Sequence, residues 1–302
     1  ALARAIGTLW DRDVEIAYAE LDIGPRIGAG GFAEVFQAEF RGAEVAVKRL
    51  LRRPGAAGEK AEEDFKAEVA LLARLVHPNI VAFIGVCPDP LALVTEFCSR
   101  GNLFDLLHAE AVELPWRLRV SFALDAARGM RFLHSRSPVV IHRDLKSLNL
   151  LVSTSWRIKV SDFGLSRFKA QSSSGSLYTA QCGTFHWMAP EVIAGHRYTE
   201  KADVFSFGVN LWELFTRDTP YKGMQPMQVG LAVLHRGLRP RLPADCPAMW
   251  SALMRACWRA DPSRRPSFAQ LVPALEKLLR SEGGDPTAGA AAAGGGSDGR
   301  DV

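Results

Sequence analysis

The period of the apolar residues changes once along this chain, and that change limits the folds open to it. From Glu20 to Phe97 the apolar residues fall in short, alternating, turn-bounded runs, broken by one helical stretch. Beyond Asn102, one hairpin apart, they recur at helical spacing. Strands gathered towards one end and helices towards the other give an α+β chain. Ser99-Arg100-Gly101-Asn102 stands at the change and reads as a hinge. The expected division is a lead over 1–14, a strand-rich lobe over 15–98, a helical lobe over 99–280 and a tail over 281–302.

Three strands are expected between Glu20 and Leu50, with Gly28-Ala29-Gly30-Gly31 breaking the first from the second and Arg41-Gly42-Ala43 turning the second into the third. Glycines in such a turn let backbone N–H groups approach phosphate oxygens, because no Cβ intervenes. Many hairpins need glycine for positive φ, so the loop alone carries little weight. A dinucleotide fold would require a helix directly after the glycines, and here a strand follows. Glu59–Leu75 reads as a helix with Phe65, Val69, Leu72 and Val76 in one stripe, stopped by His77-Pro78-Asn79. Glu68 flanks that stripe; taken by itself it reads first as a solvated glutamate, second as one reaching inward. Two further strands are expected over Ile80–Val86 and Leu91–Phe97.

In the second part, helices are expected over Leu118–His134, Asp203–Phe215, Met227–His235, Met249–Trp258 and Phe268–Leu279, the second apolar nearly all round and so central. Val139–Gly164 interrupts them with Leu150-Leu151-Val152 and Ile158-Lys159-Val160 on either side of Ser153-Thr154-Ser155, a hairpin pattern. A hairpin brings its outer ends together, so Asn149 and Asp162 are expected as neighbours, with Asp144 and Lys146 on the loop feeding them. Two acids, an amide and a cation at one end of a rigid element suit a divalent cation together with an acid or base. The polar, hydroxyl-rich stretch Gln171–Thr179 reads as a mobile or switchable loop.

Hydrophobic content of 48%, charged content of 23% and a net charge of +4 are ordinary for a globular chain of 302 residues and make no case for nucleic acid. The five cysteines form no metal-binding spacing and read as free thiols in a reducing compartment. No apolar run approaches membrane-spanning length and no signal peptide is visible. An intracellular, cytoplasmic location is expected. The chain begins at Ala1 without Met and reads as a piece of a longer protein.

The order of short motifs is far more specific than any one of them. Gly28-x-Gly30 and Val35 precede Val45-Ala46-Val47-Lys48; Glu68, His142-Arg143-Asp144-Leu145-Lys146-x-x-Asn149, Asp162-Phe163-Gly164 and Ala189-Pro190-Glu191 follow. This order resembles a eukaryotic protein kinase catalytic domain over about Leu21 to Leu279. Trp187–Glu191, Asp203–Gly208 and Cys257–Pro262 resemble the tyrosine-kinase-like group, which includes Raf-like and mixed-lineage-like enzymes that modify mainly Ser or Thr. Two departures stand out: Ala33 replaces the third loop glycine, and Phe205 replaces the usual tryptophan.

The resemblance implies a bilobal fold, with a five-stranded lobe carrying one helix and a larger helical lobe. It also implies transfer of the γ-phosphate of ATP to Ser or Thr of protein substrates. Lys48, paired with Glu68, would contact the α/β-phosphates, and Ile27, Gly28, Ala29, Gly30, Gly31, Val35, Ala46, Thr95, Glu96, Cys98 and Leu151 would line the nucleotide site. Asn149 and Asp162 would hold Mg²⁺, with Mn²⁺ as the alternative. Asp144 would accept the substrate proton and Lys146 would support the γ-phosphate. Ser176 and Thr179 are the implied targets of an upstream activating kinase, with Arg143 as phosphate partner. A pseudokinase scaffold, a tyrosine or dual-specificity kinase and a small-molecule kinase are the competing readings. The intact Lys48, Glu68, Asp144, Asn149 and Asp162 oppose the first, Lys146 and Thr184 the second, and the peptide-binding segment implied at Gly183–Glu191 the third. Oligomeric state is left open.

Overall fold

A computed structural model describes residues 14–52, 54–163, 167–168 and 184–283. The expected anchor Trp10, the switch residues Ser176 and Thr179, Cys182 and the tail beyond Gly283 lie outside the described residues. By its internal contacts the chain divides into two compact units. One is Ala1–Ser99 with Ser161–Ser166; the other is Arg100–Val160 with Arg167–Val302.

The first unit is built on an antiparallel sheet of β1 (Asp22–Ala29), β2 (Ala33–Phe40), β3 (Ala43–Leu50), β4 (Phe83–Pro88) and β5 (Leu91–Glu96), in the order β1-β2-β3-β5-β4. Side chains alternate between its faces. Ala38, Val45, Val47, Cys87, Ala92 and Val94 turn to one face, where Ile16 and Leu21 from the preceding segment close a small core. Val14–Ile16 runs beside β4, with Ile16 N–H donating to Val86 O (3.0 Å) and Val86 N–H to Val14 O (2.9 Å). A glycine is needed at position 85, because a Cβ there would stand 2.5 Å from Ile16 Cδ1 and 2.8 Å from Val14 O.

Among its described residues one α-helix, α1 (Ala56–Leu72), completes this unit. It starts earlier and ends earlier than the stripe suggests. Gly55, at φ +84°, turns the chain into it, and Arg74 and Leu75 N–H groups bond back to Leu71 and Leu72 carbonyls in tighter turns. Phe65, Val69 and Leu72 are buried as expected, whereas Val76 lies past the helix end and is 87% exposed. The expected strand over Ile80–Val86 also shifts: Ile80 and Val81 are buried outside any strand, and pairing begins at Phe83.

The second unit contains α2 (Leu103–His108), α3 (Trp116–His134), α4 (Pro190–Ile193), α5 (Lys201–Thr216), α6 (Pro226–Arg236), α7 (Ala248–Cys257) and α8 (Phe268–Ser281). Between α3 and α4, β6 (Val140–Ile141) pairs with β9 (Arg167–Phe168), and β7 (Leu150–Val152) forms the expected hairpin with β8 (Ile158–Val160). Leu150 faces Val160, so the chain enters and leaves the hairpin at one end. Its turn is fixed to α3 by the buried Asp125 carboxylate, which accepts Arg157 Nε and Nη2 at 2.7 and 2.6 Å and the Ile158 N–H at 3.2 Å. As expected, α5 is central: every residue from Ala202 to Leu214 is buried. Phe205, the departure from the family pattern, has the Arg239 and Arg265 guanidinium groups over its ring at 4.8 and 5.2 Å. No helix among the described residues is long and apolar enough to cross a membrane.

Candidate active site

Period-two geometry decides which side chains of the first unit share a surface. Gly28 pairs with Val35, Val35 with Lys48, and Ala46 with Thr95, so all five lie on the sheet face opposite the Ile16–Val47 core. Five residues expected at a nucleotide are thereby on one surface. Ala29 closes β1 opposite Glu34, and Ile27 is exposed. Gly30 donates its N–H to Ala33 O at 2.8 Å across the turn, with Gly31 between them. None of Gly28, Gly30 and Gly31 has a positive φ. A Cβ on Gly31 would meet nothing within 4 Å, and on Gly30 only Ala33 O at 3.7 Å. Backbone conformation therefore does not call for glycine here; open space above the turn remains as the reason, and a phosphate group fits it.

Further along that face Lys48 Nζ lies 2.8 and 2.9 Å from the two Glu68 oxygens and 3.2 Å from Asp162 Oδ1. Glu68 is buried, not solvated, so its reading in isolation is corrected: the last turns of α1 carry it inward to a partner twenty residues earlier in sequence. Burial opposes charge on Lys48, but the Glu68 and Asp162 carboxylates outweigh it and hold the amine above its ordinary range. Glu68 is pushed up by its own burial, more than Lys48 and the Phe163 N–H pull it down. Asp162 sits at φ +59°, the left-handed region that few non-glycine residues occupy, with its side chain about half exposed. In β5 and the hinge, the Glu96 N–H donates to Ala82 O and its carboxylate accepts the Ala82 N–H, while Cys98 is buried.

In the second unit Asp144, Lys146 and Asn149 come together. Asp144 Oδ2 accepts Lys146 Nζ at 2.7 Å and Asn149 Nδ2 at 3.0 Å, and the same amide donates to Asp144 O at 2.8 Å. Asp144 Oδ1 is buried and has no hydrogen-bond partner among the described residues. A buried carboxylate oxygen left unmatched costs free energy unless something arrives to bond it. Leu151 lies on β7 opposite Lys159, half-buried.

Two carboxylates whose contacts the sequence does not reveal, Asp203 and Glu213, hold this loop in place, and a third, Glu191, ties α4 to the segment ahead of α8. Asp203 of α5, fully buried, accepts the His142 and Arg143 N–H groups, each at 2.9 Å, and His134 Nε2 at 2.9 Å. Arg143 is thereby fixed at φ +72°, with its guanidinium 5.2 Å from the Tyr198 ring. Glu213 of the same helix accepts Ser147 Oγ and Trp187 Nε1, both at 2.7 Å, and burial pushes its carboxyl up to about 8. Glu191 pairs both its oxygens with the fully buried Arg265 guanidinium at 2.6 and 2.8 Å. The available signal was acid inside an otherwise apolar helix, since Asp203 and Glu213 are the acids of α5.

Residues 21–275 match the protein tyrosine and serine/threonine kinase family, and the chain belongs to that family. It is 47% identical over 267 residues to the probable serine/threonine-protein kinase drkD of Dictyostelium discoideum, covering 88% of this chain and 20% of that protein. The probable serine/threonine-protein kinase SIS8 of Arabidopsis thaliana is 46% identical over 89% of this chain and 26% of its own length. The serine/threonine-protein kinase CTR1 of the same plant is 45% identical over 89% of this chain and 33% of its own length. The chain thus spans a fifth to a third of these three relatives. They agree with the tyrosine-kinase-like grouping read from the motifs, and the five-stranded unit with one helix and the larger helical unit are the expected fold.

Proposed function

We propose that this chain is the catalytic domain of a serine/threonine protein kinase that transfers the γ-phosphate of ATP to protein hydroxyls. The observation that carries the reading is the unequal environment of the two Asp144 oxygens. Oδ2 is held by Lys146 and Asn149, while Oδ1 is buried without a donor among the described residues. A substrate hydroxyl is the donor that fits: it would bond Oδ1, be oriented by it and give up its proton there as the new bond to phosphorus forms.

The first unit would hold the nucleotide. Ile27, Val35, Ala46 and Thr95, with Leu151 from the second unit, are assigned to adenine, and Glu96 and Cys98 to its polar edge. Lys48, kept charged by Glu68, is assigned to the α/β-phosphates beneath the Gly28–Gly31 backbone. Asn149 and Asp162 offer oxygen ligands, the donor set a hard divalent cation prefers, and Mg²⁺ is assigned to them with Mn²⁺ as the alternative. When bound, the cation neutralises charge on the phosphate oxygens. Lys146, with Nζ 2.7 Å from Asp144 Oδ2, is assigned to the transferred phosphoryl group.

Serine or threonine as acceptor rests on Lys146 and on the names of the relatives. Control by phosphorylation at Ser176 or Thr179 through an upstream kinase is inferred from the hydroxyl-rich loop and from Arg143 beside Asp144. The direct test is phosphate transfer to a generic basic protein by the chain and by Asp144→Asn, followed by phosphoamino-acid analysis. Transfer lowered about 10²–10⁴-fold in the variant, onto Ser or Thr, is expected. Equal transfer by both proteins, or a mainly phosphotyrosine product, overturns the reading.

A further inference from the structure

We propose that Leu148 selects substrates: its exposed isobutyl group contacts an apolar side chain within a few residues of the phosphorylated hydroxyl. The inference deepens the phosphotransfer reading of the same loop and rests on it. From Asp144 to Leu150 every residue is buried except Leu148, which is 40% exposed.

A lone exposed leucine is ordinary on a protein surface. This one differs in how it is held and where. The hydroxyl of Ser147, the residue before it, donates to Glu213, itself fully buried and gripped by Trp187. Asn149, the residue after it, is fixed to Asp144 through its side chain, and its N–H donates to Lys146 O at 2.9 Å. With both neighbours pinned in a single 3₁₀ turn, the exposure of Leu148 is imposed by the loop rather than allowed by slack.

Its position follows from the same bonds. The Asn149 amide is 3.0 Å from the Asp144 carboxylate, and adjacent Cα atoms are ~3.8 Å apart, which places Leu148 roughly 10 Å from the proposed base. An extended substrate advances ~3.3 Å per residue, so a side chain two or three places from the acceptor comes within reach. An isobutyl group offers neither charge nor hydrogen bond. It rewards an apolar partner by burial and penalises a charged one by desolvation. Covering the exposed part of one leucine corresponds to about a three- to tenfold preference.

The test is a positional peptide library with Ser and Thr acceptors, phosphorylated by the full chain and by Leu148→Ala, Leu148→Glu and, as a surface control, Met249→Glu on α7. The readout is the ratio of rates for apolar and basic residues at each position, so uniform losses cancel. An apolar preference at one position that flattens about three- to tenfold in Leu148→Ala, turns towards basic residues in Leu148→Glu and persists in Met249→Glu supports the inference. Active proteins that all share one profile overturn it and leave the kinase reading standing. Transfer no greater than that of Asp144→Asn overturns the kinase reading, and this inference falls with it.

Discussion

The buried carboxylate of Asp203 accepts the backbone N–H of Arg143 at 2.9 Å and holds that residue at φ +72°. Burial alone would raise the Asp203 carboxyl, but His134 foremost and the Arg143 N–H among the rest hold it below its ordinary 3.8. A carboxyl depressed by folding adds stability that is whole above its unfolded value. That stability is lost as pH falls through the lower folded value. Asp203→Asn, which turns an amide towards those donors, is expected to cost about 2–4 kcal/mol at neutral pH. Urea unfolding from pH 7 down to pH 3 should show the difference from the native chain shrinking at the acid end. A constant difference counts against the assignment.

Glu213 should behave in the opposite sense. Its carboxyl is raised from 4.5 to about 8 by burial against the pull of Trp187 and Ser147. Between those values the folded chain keeps a proton that the unfolded chain has released, so stability falls as pH rises through the window. The slope approaches about 1.4 kcal/mol per pH unit. Glu213→Gln keeps an acceptor for Trp187, offers its amide N–H to the Ser147 oxygen with that bond reversed, and removes that slope. Denaturation midpoints at pH 5 and pH 8 should therefore move less in the variant than in the native chain.

The Lys48–Glu68 pair predicts a non-additive result. Lys48→Met should lower phosphate transfer on the order of 10²-fold or more. It also strands a buried carboxylate, at a cost of about 3–5 kcal/mol while Glu68 stays ionised. Lys48→Met combined with Glu68→Leu should be equally inactive yet more stable than the single variant. A thermodynamic cycle showing no coupling between the two positions would contradict the geometry.

Gly85 tests the fit of the leading segment. Gly85→Ala brings a methyl into Ile16 and the Val14 carbonyl and should cost about 1–3 kcal/mol. Adding Ile16→Ala removes the first clash but not the second, so a partial recovery in melting temperature is expected. No loss in the single variant would show that Val14–Ile16 does not pack on β4.

Much of this was legible because local period and burial coincide. Val45-Ala46-Val47-Lys48 is expected as a strand and the sheet sorts it to two faces, and Leu118, Phe122, Ala126 and Leu133 are all buried along α3. Local signals failed where tertiary context decides. The stripe of α1 ran on to Val76 because periodicity does not register where tighter turns replace the helix. The short helices α2 and α4 offered too few residues to show a period. Glu68 read as a surface acid because its partner is on another element. Asp203 and Glu213 passed as incidental polar positions because their donors are backbone and side-chain groups far away in sequence.

β4 ends its sheet, and an open strand edge is a template on which a second chain can add. Val14–Ile16 occupies two groups of that edge and sets Ile16 over the small core. Val14–Ile16 therefore leaves fewer groups of that edge open to pairing by a second chain. A chain shortened to begin at Ala17 should lose solubility before it loses its fold.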